Sequence, residues 1–244
     1  MVHTNLLRWT LALVLSVLML PALPTLSAEL AERSILGYSD NGRYFAFEQF
    51  GIQDGSGFAY SEIFIIDLVQ DRWVPGGPIR VRLEEDGASL RAARRNAMEQ
   101  AGSRLNQYGI GAPARVLAST TPMESGGQEE VLTFNPLPML NPIHPLRTLR
   151  VENLPMSSPR DCYGMVETAG FALSLQAQGG AKQTIYRDSQ LPMSRVCPAR
   201  YGISDIVVPF DGSPGRAVAL ISVYQLGFEG LDRRFLAVPF DLSF

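Results

Sequence analysis

Short apolar runs separated by turn residues dominate this chain, and they constrain its fold more than any other feature. The runs at 63–68, 203–210 and 217–226 are rich in β-branched and aromatic residues. Glycine, proline, asparagine and aspartate cluster between such runs, as they do between strands. The pattern predicts a mainly β protein of antiparallel sheets, arranged either as a sandwich or as a propeller-like ring.

One segment, 89–108, departs from this pattern because its apolar residues recur at steps of three and four. Ser89 is a suitable N-cap, since its hydroxyl can accept a hydrogen bond from a free backbone N–H of the first turn. Gly109 suits the left-handed conformation that ends many helices. The segment therefore predicts a single substantial helix with one apolar face.

Residues 1–28 have the organisation of a secretory signal peptide. An arginine precedes the apolar run 9–20, two prolines follow that run, and Ala28 is a small residue at the expected cleavage site. The run is shorter than the roughly 20 apolar residues that a membrane-spanning helix needs. We expect a periplasmic or secreted protein that begins at Glu29 and has no transmembrane segment after processing.

A proline-rich segment divides the rest of the chain. Residues 136–145 contain four prolines in ten positions, which excludes a helix or a central strand there. We interpret the segment as an extended connector between an N-terminal β region with the helix, 29–135, and a C-terminal β region, 146–244. One single domain over 29–244 is the alternative.

Cys162 and Cys197 are the only cysteines. In an oxidising compartment two cysteines most simply pair. A disulfide that closes a loop of this length stabilises a fold by about 3–4 kcal/mol in the chain-entropy model. A catalytic thiol or a metal site is the alternative, but two cysteines and one histidine make a poor zinc site. We predict a structural disulfide, and neither a metal nor a cofactor.

Charge and histidine content argue against several classes of function. The 244 residues include 21 Lys and Arg against 24 Asp and Glu, so composition indicates no basic surface for nucleic acid. Only His144 remains of two histidines once the signal peptide is removed, and it lies in the connector. Acyl-transfer triads usually need a histidine base. The motifs of serine hydrolases, P-loop enzymes and zinc proteases are missing from the sequence as well, so we predict no catalytic residue.

The hairpin predicted at 44–67 concentrates the residues best suited to binding, because carboxylates and aromatic rings occur there together. We predict a non-catalytic binding or interaction module of the cell envelope, whose partner is an envelope protein or a glycan. The alternative is a carboxylate-dependent hydrolase acting on glycans, since two carboxylates about 5–10 Å apart cleave glycosidic bonds. The candidate binding residues are Tyr44, Glu48, Asp54, Phe58, Tyr60 and Glu62.

Two patterns resemble known families. Ser-Asp-Asn-Gly-Arg-Tyr-Phe-Ala-Phe at 39–47, followed by Ile-Phe-Ile-Ile-Asp at 63–67, resembles the repeats of TolB-type β-propellers, which implies a propeller. The longer pattern over 37–67 is similar to the opening of a family of predicted secreted bacterial proteins of unknown function. The segments 170–173 and 191–198 are similar to the second half of that family. This second resemblance implies a secreted, disulfide-bonded protein and brings no catalytic residues.

Overall fold

The structure, a computed structural model, describes residues 28–85, 87–120, 129–136, 145–210 and 216–242. Nearly all of the predicted signal peptide lies outside these residues, as does the connector apart from its ends, with His144. The described residues form fourteen strands and one helix, which confirms the prediction of a mainly β protein.

The strands form three antiparallel sheets, which we name by their position in the molecule. The N-terminal sheet has the order β4-β3-β2-β1-β6, with β5 also paired to β3. The outer sheet has the order β11-β10-β9-β8, and the central sheet the order β14-β13-β12-β7. The bounds are β1 Glu32–Ser39, β2 Tyr44–Ile52, β3 Ala59–Asp67, β4 Arg72–Trp73, β5 Ile79–Leu83, α1 Leu90–Gln107, β6 Ile110–Ala112, β7 Ala114–Ser119, β8 Glu129–Phe134, β9 Arg147–Pro155, β10 Ala169–Ala177, β11 Lys182–Arg187, β12 Pro198–Pro209, β13 Ala217–Leu226 and β14 Leu231–Phe240.

Helix and sheets stack as four layers. Ala97 and Ala101 of α1 pack on Ile63 of the N-terminal sheet. The opposite face of that sheet carries Phe47, which packs in one cluster with Leu220 of the central sheet. The far face of the central sheet packs against the outer sheet. The central sheet is therefore covered on both faces.

Strand β13 shows what double coverage requires of a sequence. Val218 and Leu220 face the N-terminal sheet, whereas Ala219 and Ile221 face the outer sheet. A strand covered on both sides has no polar face, so its sequence is a continuous apolar run without alternation. The open sheets stack face to face, as in a sandwich, and the described strands close neither a barrel nor a ring of blades.

A β-bulge in β12 changes which residues face which layer. Tyr201 and Ile203 pack toward the outer sheet, and the pairing with β13 shifts register between Ile203 and Asp205. After the shift Asp205 and Val207 point toward the N-terminal sheet. A bulge adds one residue to a strand and so reverses the faces of the residues behind it. This bulge delivers a carboxylate to the interface between two layers.

The helix begins and ends where the sequence predicts. The Ser89 hydroxyl accepts a hydrogen bond from the backbone N–H of Ala92 at 3.2 Å. Gly109 has a φ of +64°, the left-handed conformation that favours glycine. The buried side of α1, which includes Ala93 and Leu105, is the side that the periodicity indicates.

The predicted disulfide is present between Cys162 and Cys197, whose Cα atoms lie 5.8 Å apart. Cys162 lies in the loop between β9 and β10, and Cys197 directly precedes β12. The bond therefore joins a loop of the outer sheet to a strand of the central sheet.

Strand pairing crosses the proline-rich segment twice. Strand β7 precedes the segment and pairs with β12, and β8 precedes it and pairs with β9. Both the central and the outer sheet thus combine strands from the two sides of 136–145.

Candidate functional site

The β2–β3 hairpin distributes the six predicted binding residues over three places. Neighbouring residues of a strand point to opposite faces of the sheet, so the hairpin presents one set to α1 and another to the central sheet. The helix side holds Tyr44 and Glu48, the other side holds Tyr60 and Glu62, and the connecting turn with its flank holds Asp54 and Phe58.

Glu48 is buried between the sheet and α1. Its Oε1 accepts hydrogen bonds from the Ser61 hydroxyl at 2.8 Å and from Arg94 Nε at 3.0 Å, and its Oε2 accepts one from Arg94 Nη2 at 2.8 Å. The hydrogen bond to Glu48 raises the pKa of the Arg94 guanidinium. That guanidinium also lies 3.7 Å from the ring centre of Phe50. Glu48 is thus a structural partner that attaches the helix to the sheet.

Glu62 points away from Glu48. The pairing sets Glu48 opposite Ile63 and Glu62 opposite Gln49, which places the two carboxylates on different faces of the hairpin. Glu62 accepts hydrogen bonds from Arg80 Nε at 2.8 Å and from Gln49 Nε2 at 2.5 Å. Two carboxylates on opposite faces cannot flank one glycosidic bond, so the hydrolase interpretation is unsupported.

Tyr60 belongs to a charged cluster at one end of the hairpin, which we call the N-terminal cluster: Glu29, Asp54, Tyr60, Asp232 and Arg234. The Arg234 guanidinium lies 5.1 Å from the ring centre of Tyr60 and 2.6 Å from Glu29 Oε1. Burial raises the pKa of the Tyr60 hydroxyl, although the charge of Arg234 opposes this. The Asp54 carboxylate accepts a hydrogen bond from the backbone N–H of Glu229 at 3.0 Å, which fixes the β2–β3 turn to the β13–β14 turn.

A cleft of about 310 Å³ opens between the N-terminal sheet and the central sheet. The buried rings of Phe47 and Phe64 stack at its floor with their centres 4.9 Å apart. Trp73 stands at the mouth, 45% exposed, with its ring centre 5.8 Å from that of Phe64. The remaining lining residues are Ile66, Asp71, Arg72, Phe235, Leu236 and Ala237.

The mouth of this cleft carries its charged groups. Asp71 and Arg72 are exposed there, and Asp71 has a left-handed φ of +48° in the turn that leads into β4. The Arg80 guanidinium lies 5.8 Å from the ring centre of Trp73. The cleft therefore combines an apolar aromatic floor with a charged rim, which is the usual composition of a binding pocket.

A second, shallower groove of about 410 Å³ runs along α1, where Arg91, Arg94 and Arg95 surround the edge of Glu48. The central guanidinium of the three is already bound to Glu48. The groove thus lies over an ion pair of the fold, and we regard the cleft at Trp73 as the candidate site.

Analysis of the sequence did not find Trp73 or its cleft. The signal available was a tryptophan in the short segment Asp-Arg-Trp-Val at 71–74, bounded by glycine and proline. Phe47 and Phe64 lie in the predicted hairpin 44–67, but Phe235 lies 171 residues beyond Phe64 and joins them only through the stacking of two sheets. A contact between residues so far apart in the chain leaves no pattern in the local sequence.

The described residues contain no group of three histidine, cysteine, aspartate or glutamate side chains arranged to hold a metal ion. The helix among them is also too polar to cross a membrane.

Comparison with known proteins gives one match. The model of a family described as "Predicted secreted protein (DUF2259)" matches residues 46–240. Neither the curated proteins nor the solved structures contain a match. The matched range includes both cysteines and every residue that lines the cleft at Trp73. The resemblance to TolB-type propellers is not supported, because the match is to a different family and the sheets stack as layers.

Proposed function

The chain belongs to this family of predicted secreted proteins, and from that premise we propose that it is a non-catalytic binding protein of the cell envelope. Its location outside the cytoplasm rests on the family and on the disulfide, since such bonds persist in oxidising compartments. The proposed binding site is the cleft at Trp73, and the proposed ligand is an apolar side chain of an envelope protein.

The preformed floor of the cleft is the observation that carries this proposal. Phe47 and Phe64 are buried and stacked on each other, so a partner would not have to order them. Trp73, by contrast, keeps nearly half its surface exposed at the mouth. Tryptophan is enriched among the residues that dominate the energy of protein–protein contacts, and a partner seated in the cleft would cover this exposed surface.

The lining favours an apolar side chain over a sugar. Among the lining residues only Asp71 and Arg72 carry charged side chains, and both stand at the rim. A sugar can stack its C–H face on an aromatic ring, but its hydroxyl groups need hydrogen-bonding partners around the ring, and among the lining side chains only Asp71 and Arg72 offer strong ones. An aromatic or aliphatic side chain has no such need, and the charged rim can bind the polar backbone on either side of it.

Crosslinking in the native host tests the proposal. A photoreactive amino acid replaces Arg72 at the cleft or, as the matched control, Arg187, which is exposed on β11 of the outer sheet. We expect position 72 to crosslink to one discrete envelope protein and position 187 not to do so. We expect Trp73→Ala, introduced beside the probe at 72, to abolish the product while the circular dichroism spectrum stays unchanged.

Three outcomes would overturn the proposal. Equal crosslinking from both positions would show that contact at the cleft is not specific. Binding of envelope oligosaccharides to the purified protein, abolished by Trp73→Ala, would make a glycan the partner. Turnover of a glycan, peptide or ester that Glu48→Gln or Glu62→Gln abolishes in a folded protein would make it an enzyme.

A further inference from the structure

Residues 29–31 are an integral part of the fold. The backbone N–H of Arg233 donates to the Glu29 carbonyl at 2.8 Å, and the N–H of Ala31 donates to the Arg233 carbonyl at 3.3 Å. The Arg233 guanidinium also donates to the Ala31 carbonyl at 2.9 Å. Glu29 and Ala31 are buried. A chain cut behind Glu29 would lose the hydrogen bond to the Glu29 carbonyl and the buried Glu29 side chain, whereas a cut before Glu29 keeps all of these contacts.

The backbone nitrogen of Glu29 points at a carboxylate. It lies 3.2 Å from Oδ1 of Asp232, at the start of β14. The carboxylate occupies a recess that exists because residue 227 is glycine: a Cβ there would lie 2.3 Å from the same oxygen. The fold thus holds Asp232 directly against the bond at which the signal peptide is expected to end.

The N-terminal cluster has more negative than positive groups. It contains the carboxylates of Glu29, Asp54 and Asp232 but a single guanidinium, that of Arg234, which lies 2.6 Å from Glu29 and 3.8 Å from Asp232. Burial raises the pKa of Asp232; the charge of Arg234 opposes the shift, while the charges of Glu29 and Asp54 add to it. Glu29 Oε1 is buried and receives no hydrogen bond of good geometry from any described group. One more cation would halve this excess of negative charge.

We propose that signal-peptide cleavage before Glu29 supplies that cation, because the new α-ammonium group binds to the carboxylate of Asp232. Signal peptidase would hydrolyse the Ala28–Glu29 bond with one water molecule, whose hydroxyl joins the Ala28 carbonyl carbon. One proton of the water joins the Glu29 nitrogen, and the proton of the new carboxylic acid completes the ammonium. The neutral amide N–H that faces Asp232 in the precursor becomes a charged donor, and such donors form hydrogen bonds about twice as strong as neutral ones.

The proposal also predicts how the stabilisation by the α-ammonium group depends on pH. An ammonium held by Asp232 has a pKa above the usual α-amino value of about 8. Its contribution to stability is therefore fully present below about pH 8 and is lost as the pH rises through the raised pKa. The charged or titratable groups that face the ammonium are the members of the N-terminal cluster, Glu29, Asp54, Tyr60, Asp232 and Arg234.

The sequence allows a clean test, because Lys182 is its only lysine. In a Lys182→Arg background the α-ammonium is the sole primary amine of the mature protein. The protein is secreted by its own signal peptide, and its intact mass must correspond to a chain that begins at Glu29. Half of the sample is then acetylated in urea with the disulfide intact and refolded, which removes the positive charge at the N-terminus and changes nothing else.

We expect acetylation to lower the folding equilibrium constant about tenfold at pH 7, in line with the loss of one charged hydrogen bond. The difference shrinks as the pH rises above 8. In Asp232→Asn we expect acetylation to change the constant less than twofold, whereas in Glu99→Gln, an exposed position on α1, the full tenfold effect remains. If Asp232→Asn fails to fold, the pKa of the α-amine in the Lys182→Arg parent, measured by NMR titration, provides a second test.

A mature chain that begins elsewhere than Glu29 would overturn the proposal. The same holds if acetylation has no effect, or the same effect in Asp232→Asn as in its parent, or if the α-amine titrates at its ordinary pKa. The proposal does not depend on the cleft at Trp73, so each can fail separately.

Discussion

The central sheet has two neighbours, and its contacts with them are built differently. Against the outer sheet four of the sixteen buried residues of the cluster are aromatic, whereas against the N-terminal sheet six of twelve are. We call the contact between the central and outer sheets the aliphatic interface; it contains more buried residues, and the disulfide links its two sheets. We call the contact between the central and N-terminal sheets the aromatic interface; it opens into the cleft at Trp73. The candidate site therefore lies in the interface that is richer in aromatic rings.

The two interfaces also differ in the bonds that cross them. A covalent bond between Cys162 and Cys197 links the outer sheet to the central sheet. Between the N-terminal and central sheets an ion pair adds to the packing: the Arg33 guanidinium of β1 donates to the Asp205 carboxylate of β12, with Nη2 2.6 Å from Oδ1. Acid can open the second contact but not the first. The interface that holds the candidate site is therefore the one that responds to conditions.

The largest expected effect lies in the aliphatic interface. Phe171 is fully buried, and its ring stacks between those of Tyr186 and Tyr201 at 4.8 and 4.6 Å. We expect Phe171→Ala to lower the free energy of unfolding by about 4 kcal/mol, because it leaves a cavity among packed rings. Urea denaturation followed by fluorescence measures this. A loss below 1 kcal/mol would mean that this interface is not tightly packed.

Removal of the disulfide should have the second largest effect on stability. We expect the double substitution of Cys162 and Cys197 by alanine to lower the free energy of unfolding by about 3 kcal/mol, since the unfolded chain gains the entropy of an open loop. The double variant avoids a free thiol. The comparison predicts that protection from hydrogen exchange falls more in the outer sheet than in β2 and β3 of the N-terminal sheet. Equal loss of protection in both sheets would contradict the comparison.

Acid should weaken the interface between the N-terminal and central sheets. Burial would raise the pKa of Asp205, but hydrogen bonds from Arg33, Ser119 and Ser204 and the charge of Arg33 outweigh it, so the pKa is lowered. A lowered carboxyl pKa contributes stability above the unfolded value of about 4, and this is lost as the pH falls through the folded pKa. We expect Asp205→Asn to cost about 2 kcal/mol at pH 7.

The same variant should flatten the dependence of stability on pH below 4, measured as thermal unfolding midpoints between pH 2 and 7. Asp40→Asn, a substitution on an exposed turn residue, serves as the control and should leave the profile as it is. An unchanged slope in Asp205→Asn would show that Asp205 does not carry the acid sensitivity.

The smallest effect on stability is expected at Trp73. Because nearly half of its side chain is exposed, Trp73→Ala should lower the free energy of unfolding by less than about 1 kcal/mol. Phe47→Ala, at the floor of the same cleft, should cost about 3 kcal/mol. The contrast, measured by urea denaturation, separates a rim residue from the core. A large loss in Trp73→Ala would assign Trp73 to the fold instead of to binding.

The sequence predicted those features whose signals are local. The helix follows from its spacing and from Ser89 and Gly109 at its ends, and the disulfide follows from a pair of cysteines in an exported chain. The stacking order of the sheets has no local signal. Glu48 shows the same limit: a glutamate in a strand suggests a solvated face, and its partner Arg94 lies 46 residues away on the helix. The bulge before Asp205 was equally invisible, because one extra residue in a long apolar strand does not change its composition.

The middle layer of the molecule is made mostly from the end of the chain, since β12, β13 and β14 span Pro198–Phe240. An exported chain emerges with its N-terminus first, so the strands of the sheets on both sides of this layer emerge before most of the surface on which they pack. Until then the rings of β2 and β3 have nothing to cover them, and such exposed surface promotes aggregation. Residues 29–31, close to the start of the expected mature chain, also pair with Arg233. Because these contacts join distant parts of the chain, we expect folding to be slow and the incompletely folded chain to be exposed to aggregation during export.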